Sequence, residues 1–138
     1  MVAGELVFVD TGAWIALAST RDPLHERASE AYADLMAAGA RLHTSVPVVL
    51  ETFTFLDRNA SRDAALAWKD SLASLSRLRT LECTAADVER AWTWFERKAL
   101  YKLSAVDATS FTLMRRAKIR RAFAFDQHFA TAGFLVVG

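Results

Sequence analysis

Leu6-Val-Phe-Val-Asp10-Thr-Gly-Ala-Trp-Ile-Ala-Leu-Ala18 is the stretch on which the fold turns. Its first four residues are branched or aromatic and wholly apolar, which predicts a short buried strand. Asp10-Thr11-Gly12 interrupts the run, and Ala13 to Ala18 then reads as helix. A strand passing directly into a helix is the opening of an α/β unit, because parallel strands need crossovers and the crossover is usually helical.

The same alternation continues down the chain. Asp22-Pro23 starts a helix that runs to about Ala38 and is ended by Gly39, and Arg41 to Thr44 is the next strand candidate. Ser45 with Pro47 opens a helix carrying Val48, Val49, Glu51, Phe53 and Leu56, and Ser61 caps another that reaches about Leu75. Leu78 to Glu82 is a third strand. Thr84 and Asp87 stand at capping-box spacing before a helix, and Ser104 and Asp107 repeat that signature. The helix opened by Ser104 puts Ala108, Phe111, Met114 and Ala117 at helical spacing and leaves Arg115, Arg116 and Lys118 largely on the other side. Ala122 to Phe125 is a buried-type strand stopped by Asp126, and Phe134 to Val137 is the last. The expected class is α/β, with a parallel sheet of about five strands covered on both faces. With two prolines, five glycines, no repeat and no linker, residues 1–138 are expected to form a single domain.

Composition narrows the function classes. Of the 138 residues 53% are hydrophobic, enough for a core without staples, and the one cysteine, Cys83, excludes both an internal disulfide framework and a cysteine-built zinc site. Cys83 is expected to be a small buried residue. The first twenty residues lack a basic lead-in, and Glu5 and Asp10 break their apolar stretch, so the expectation is a cytoplasmic chain without a signal peptide. Gly12 to Ala18 is the longest unbroken apolar run, far short of the ~20 residues that span a bilayer. The formal charge of +1 hides an asymmetry: from Arg97 onward eight basic residues face two acidic ones, while the first 96 residues hold nine basic and fourteen acidic. A basic third suits a polyanion, and a solvated helix face explains it equally well.

Four carboxylates occupy informative places. Asp10 follows the first strand, Glu51 lies one to two turns into a helix, Asp107 is in the first turn of another, and Asp126 follows a late strand. In open parallel sheets ligands gather beyond the carboxyl ends of the strands, so one rim can hold all four. Each has a plainer reading: Asp10 and Asp107 as helix caps, Glu51 as a surface residue, Asp126 as a turn residue. Yet Asp10, Glu51 and Asp126 abut apolar runs where an unpaired charge is costly, and no lysine lies beside any of the four. A hard cation between the carboxylates, Mg²⁺ or Mn²⁺, resolves that cost.

Val-Asp-Thr-Gly-Ala-Trp-Ile-Ala-Leu (9 to 17), Thr-Ser-Val-Pro-Val-Val-Leu-Glu (44 to 51), Leu-Ser-Ala-Val-Asp-Ala (103 to 108) and Phe-Asp-Gln-His-Phe (125 to 129) resemble PIN-domain ribonucleases. Length and motif order are similar to the toxin of a VapBC-type toxin–antitoxin module. The resemblance covers essentially the whole chain. It implies a three-layer α/β/α sandwich and an acidic pocket in which Asp10, Glu51, Asp107 and Asp126 bind Mg²⁺ or Mn²⁺, with Thr11 and Ser104 as polar support. It also implies metal-dependent endoribonuclease activity that leaves a 5′-phosphate, an RNA substrate, a cognate antitoxin and a homodimer. Ala124 departs from the pattern, since many members carry threonine there.

Arg115 and Arg116 head the basic cluster and are the candidates for contacting RNA phosphates. Trp92 and Trp94 cannot share one helix face, which predicts that one of them sits on an interface. His25, His43 and His128 are scattered without metal-ligand spacing and are read as surface or core residues. Two other functions compete with the nuclease. An aspartate-based phosphohydrolase would use Asp10 as nucleophile, but the haloacid-dehalogenase pattern wants a second Asp at position 12, where this chain has Gly12. A non-catalytic module acting through a partner protein would have no need of an intact acidic quartet.

Overall fold

The computed structural model describes residues 3–138, so the first two residues of the expected domain lie outside the described residues. Five strands, β1 (Leu6–Val9), β2 (Arg41–Ser45), β3 (Leu78–Leu81), β4 (Arg121–Phe123) and β5 (Leu135–Val137), alternate with helices. The helices are α1 (Thr11–Ala18), α2 (His25–Ala37), α3 (Val46–Asn59), α4 (Arg62–Leu72), α5 (Ala85–Ala91), α6 (Ala105–Arg116) and the short α7 (His128–Thr131). All pairings are parallel, in the order β3-β2-β1-β4-β5. Val7, Phe8 and Val9 are successive residues of the central strand and all are fully buried, so both faces of the sheet are covered. That is the expected three-layer α/β/α sandwich.

The chain builds outward from β1 through β2 to β3, then crosses back to lay β4 and β5 on the other side of β1. The connections therefore diverge above the carboxyl ends of β1 and β4, the place where such sheets bind ligands. The two strands stay joined there: the Asp10 N–H donates to the Phe123 carbonyl at 3.0 Å. The neighbouring strand is pinned by a buried relay in which Trp14 Nε1 donates to Thr44 Oγ1 (3.1 Å), and Thr44 Oγ1 donates to the Val9 carbonyl (3.1 Å). This relay satisfies three buried polar groups and fixes α1, β2 and β1 relative to one another.

The core runs through Phe8, Leu35, Leu42, Phe111, Met114, Phe123 and Phe129. Phe111 is its hub, edge-on to Trp94 (5.0 Å) and to Phe129 (4.9 Å). Every residue of α6 from Asp107 to Met114 is buried, so this helix crosses the interior instead of lying on the surface with one wet face. Its threonines find local partners: Thr112 Oγ1 donates to the Ala108 carbonyl (2.9 Å) and accepts from Trp94 Nε1 (3.2 Å), and Thr109 Oγ1 donates to the Val106 carbonyl (2.6 Å). Arg115, Arg116 and Lys118 stand at the end of the helix and just past it, not along its far side, because the helix closes with Lys118 in the left-handed region (φ 58°).

Several boundaries differ from the sequence reading. Helix α2 begins at His25, because the Asp22 carboxylate accepts from the Leu24 N–H (2.8 Å) and makes a turn first. Helix α5 stops at Ala91 and tightens into a 3₁₀ turn, Trp92–Glu96, which buries Trp94 and leaves Trp92 49% exposed beside Phe95. Strand β4 ends at Phe123, and Asp126 lies in the following turn, where its Oδ1 accepts from the His128 N–H (2.8 Å). Cys83 is half-buried, not enclosed. Among the described residues no helix is long and apolar enough to cross a membrane.

The capping box at Thr84 is complete: Thr84 Oγ1 accepts from the Asp87 N–H, and the Asp87 carboxylate accepts from the Thr84 N–H (2.9 Å). Asp87 is 1% exposed and also pairs with Arg116, whose Nη2 reaches the Glu82 carbonyl (3.1 Å). Burial pushes its carboxyl up, but the hydrogen bonds from Thr84 and Arg116 outweigh it and hold the group below its usual range. Asp87→Ala should therefore cost about 2–3 kcal/mol of unfolding free energy in urea melts near neutral pH, through loss of the cap and an unpaired Arg116. Because the native pKa is depressed, the difference from the parent should narrow as the pH falls below about 4.

Candidate active site

Each of the four carboxylates is delivered by a different element to the divergence point above β1 and β4. Asp10 stands between β1 and α1, and its carbonyl accepts from the N–H groups of Ala13 and Trp14 (3.1 Å each). Its carboxylate makes no capping hydrogen bond to α1, and Oδ1 is buried without a partner. Glu51 reaches the site from the second turn of α3, a helix that starts immediately after β2 because Ser45 Oγ accepts from the Val48 N–H (3.3 Å). Asp107 comes from the first turn of α6, and Asp126 from the turn between β4 and α7.

The two capping signatures of the sequence have different outcomes. At α5 the third-position acid turns back to close the box, whereas at α6 Ser104 Oγ accepts from the Asp107 N–H (3.0 Å) and the Asp107 carboxylate interacts with Asp126 instead. Ser104 thereby fixes the backbone that carries Asp107. Thr11, the other expected support, is buried beside Asp10 with its hydroxyl unpartnered.

Electrostatics report the convergence. Burial pushes the Asp10 carboxyl up to about 7, helped by the like charges of Glu51 and Asp126, against the Thr11 and Gly12 amides, which favour the ionised form. Burial likewise pushes Asp107 up to about 8, with Asp10, Asp126 and Glu51 adding repulsion. Among the described residues the salt bridges pair no lysine or arginine with any of the four. A divalent cation fits this set: oxygen donors converge, one is buried and unpartnered, and among the described residues no lysine or arginine neutralises them.

One residue at this site is invisible to spacing arguments. His128, two positions beyond Asp126, brings a ring nitrogen to a group with Asp107 and Asp126 whose potential ligand atoms all lie within 4.8 Å of one another. The i, i+2 spacing signals nothing until the turn that folds it back is known. Arg115 and Arg116, by contrast, lie at the far end of α6, about 12 Å along the helix from Asp107. Arg116 is committed to Asp87, while the Arg115 guanidinium lies 4.5 Å from the Trp94 ring centre and that of Arg97 lies 4.4 Å from it. These residues line an open groove of about 740 Å³ that also includes Arg90 and Glu96.

The family model of the PIN domain matches residues 7–135 of this chain. The 23S rRNA-specific endonuclease VapC20 of Mycobacterium tuberculosis is 38% identical over 133 residues, which span 96% of this chain and 98% of that protein. The crystal structure of Mycobacterium tuberculosis VapC20, described as a sarcin–ricin loop cleaving toxin, superposes with a TM-score of 0.83 at 36% identity, over 96% of this chain and 99% of that one. VapBC2 from Rickettsia felis, solved bound to a DNA fragment of its promoter, shares the fold at 13% identity, with a TM-score of 0.70 over 95% of this chain and 96% of that one.

The raised carboxyls carry a stability signature. With both pKa values above those of the unfolded chain, the native state holds more protons between about pH 4 and 8, so metal-free stability falls as the pH rises through that window. Thermal melts in EDTA should show a Tm lower by about 5 °C or more at pH 8 than at pH 5, equivalent to about 1–2 kcal/mol, and Asp107→Asn should flatten that slope.

Proposed function

The chain belongs to the PIN-domain family, and from that premise we propose that it is a metal-dependent endoribonuclease, the toxin of a toxin–antitoxin pair. The observation that carries the proposal is the cluster of Asp10, Glu51, Asp107 and Asp126, with Asp10 Oδ1 buried and unpartnered and, among the described residues, no lysine or arginine paired with it. The substrate we assign is a structured loop of large-subunit ribosomal RNA, the class named for the relative that is 38% identical over nearly the full chain. Residues 1–138 would act as a single domain in the cytoplasm, where ribosomes are found.

Asp10 and Asp107 are the principal ligands for Mg²⁺ or Mn²⁺, with Glu51 and Asp126 completing the set. A bound divalent ion supplies Lewis-acid activation of water and stabilisation of the departing oxygen. The protein's part is to hold and orient. Asp107 is fixed by the Ser104 cap, Asp126 by its bond to the His128 N–H, and Asp10 by the sheet ladder beneath it. Glu51, half-buried on α3, is assigned to orient the attacking water. Hydrolysis breaks the P–O3′ bond, leaves a 5′-phosphate and a 3′-hydroxyl, and has no use for the RNA 2′-hydroxyl as nucleophile.

Support for protein partners, an antitoxin and a second copy, comes from the apolar exposure of α3: Val46, Leu50 and Phe55 are 43%, 63% and 42% exposed along one groove with Val88 and Val106. The assignment of RNA contacts divides the two arginines. Arg115, stacked on Trp94 in an open groove, is available to phosphates; Arg116 is held by Asp87.

The test is cleavage of 23S rRNA and of intact large subunits by partner-free protein with Mg²⁺, Mn²⁺ or EDTA, with 5′ ends mapped. Asp10→Asn and Asp107→Asn should each lower cleavage by about two orders of magnitude or more while circular dichroism stays native. A folded, metal-loaded parent that cuts neither substrate would favour a non-catalytic module acting through its partner. In binding to the uncleaved loop with Asp107→Asn as background, Arg115→Ala should reduce the slope of log affinity against log salt by about 1. Arg116→Ala should appear mainly as lost stability.

A further inference from the structure

His128 is held by its surroundings in one tautomer. Its Nε2 lies 2.7 Å from the Tyr101 carbonyl, which only accepts, so Nε2 is a donor and Nδ1 is the ring nitrogen left to serve as a ligand. That Nδ1 is buried, has no aligned hydrogen-bond partner, and lies 3.0 Å from Asp126 Oδ1. The turn is rigidly seated: the His128 N–H donates to Asp126 Oδ1 (2.8 Å), the His128 carbonyl accepts from the Ala132 N–H (2.8 Å), and the next residue, Phe129, is fully buried against Phe111.

We propose that His128 is a ligand of the divalent cation at the acidic site, donating Nδ1 beside the Asp126 carboxylate, and that this nitrogen shifts the site's preference toward Mn²⁺ over Mg²⁺. The inference rests on the metal-dependent reading of the cluster given above. Two neighbouring ligands of an octahedral ion with bonds of about 2.1 Å stand about 3.0 Å apart, which is the separation between His128 Nδ1 and Asp126 Oδ1. Asp107 offers its own oxygen within the same 4.8 Å group. Metal-bound imidazoles characteristically donate their second ring N–H to a backbone carbonyl or carboxylate, which sets the tautomer and aims the lone pair, and Tyr101 does this here. The selectivity follows from donor chemistry. Mg²⁺ favours oxygen and sheds water reluctantly, whereas a transition ion gains more from an imidazole nitrogen.

The test uses the full chain and Mn²⁺ itself. Pulsed electron paramagnetic resonance of the Mn²⁺-loaded parent should show a directly coupled ¹⁴N nucleus, replaced by ¹⁵N when the protein carries labelled histidine and lost in His128→Ala. In titrations of free Mn²⁺, His128→Ala and His128→Gln should bind about tenfold more weakly, while Mg²⁺ affinity, read by competition, changes by less than about threefold. Bound Mn²⁺ without nitrogen coupling, or unchanged selectivity in the variants, overturns the proposal and leaves His128 as an ion-pair partner of Asp126. A parent that binds no Mn²⁺, like Asp107→Asn, would instead overturn the metal-dependent reading beneath it. If the variants fail to fold, the parent's spectrum alone decides.

Discussion

Like charges brought into a poorly hydrated space repel, and this chain brings four of them to one point. Everything above the carboxyl ends of β1 and β4 is arranged around that constraint. Asp10 is 4% exposed and Asp107 7% exposed, so neither is relieved by water, and no basic side chain is paired with either among the described residues. Without a cation the fold answers by binding protons, which is what the raised carboxyls express. A site that must take up either protons or a metal ion is destabilised by design, and the surrounding scaffold has to be correspondingly firm. The Trp14–Thr44–Val9 relay, the Phe111 aromatic hub and the interstrand bond from Asp10 to Phe123 supply that firmness within one shell of the acids.

Much of this is legible in the residues alone. The strand-to-helix switch at Asp10, the apolar tetrads, and the serine and threonine caps at positions 45, 61, 84 and 104 are local signals, and local signals survive folding. The four acids are legible because each interrupts an apolar run or caps a helix in a parallel α/β pattern, and the topology of such a pattern brings strand ends to one rim. What stays hidden depends on the third dimension. The burial of α6 cannot be read from Ala-Val-Asp-Ala-Thr-Ser-Phe-Thr, whose polar residues suggest a wet face until the two threonine hydroxyls are seen bonding back to the helix carbonyls.

Asp87 and Asp107 make the same point at the level of single residues. Both are acids three places after a hydroxyl cap, and both are buried. One meets Thr84 and Arg116 and is held ionised; the other meets three carboxylates and is pushed toward its neutral form. Sequence spacing determines where the backbone places the acid. The company it then keeps, drawn in part from residues 19 to 97 positions away in the chain, determines its chemistry.

The charge asymmetry of the chain resolves in the same way. The arginines of α6 do not form a stripe along it: both stand at its carboxyl end, where Arg116 neutralises Asp87 and Arg115, together with Arg97, lies over the Trp94 ring. A helix dipole favours cations at that end, while its amino end, at Asp107, faces the acids. Helix α6 thus separates charge along its own axis, with acids at its amino end and arginines about 12 Å away. For a polyanionic substrate this is a workable polarity. Guanidinium groups can hold the phosphate backbone at a distance, where they do not compete with a metal ion for the carboxylates. An arginine placed among the acids would satisfy them permanently and leave no site for a cation. Among the described residues no lysine or arginine pairs with the cluster, while two arginines stand at the other end of the same helix, and both follow from one requirement, that the carboxylates stay available.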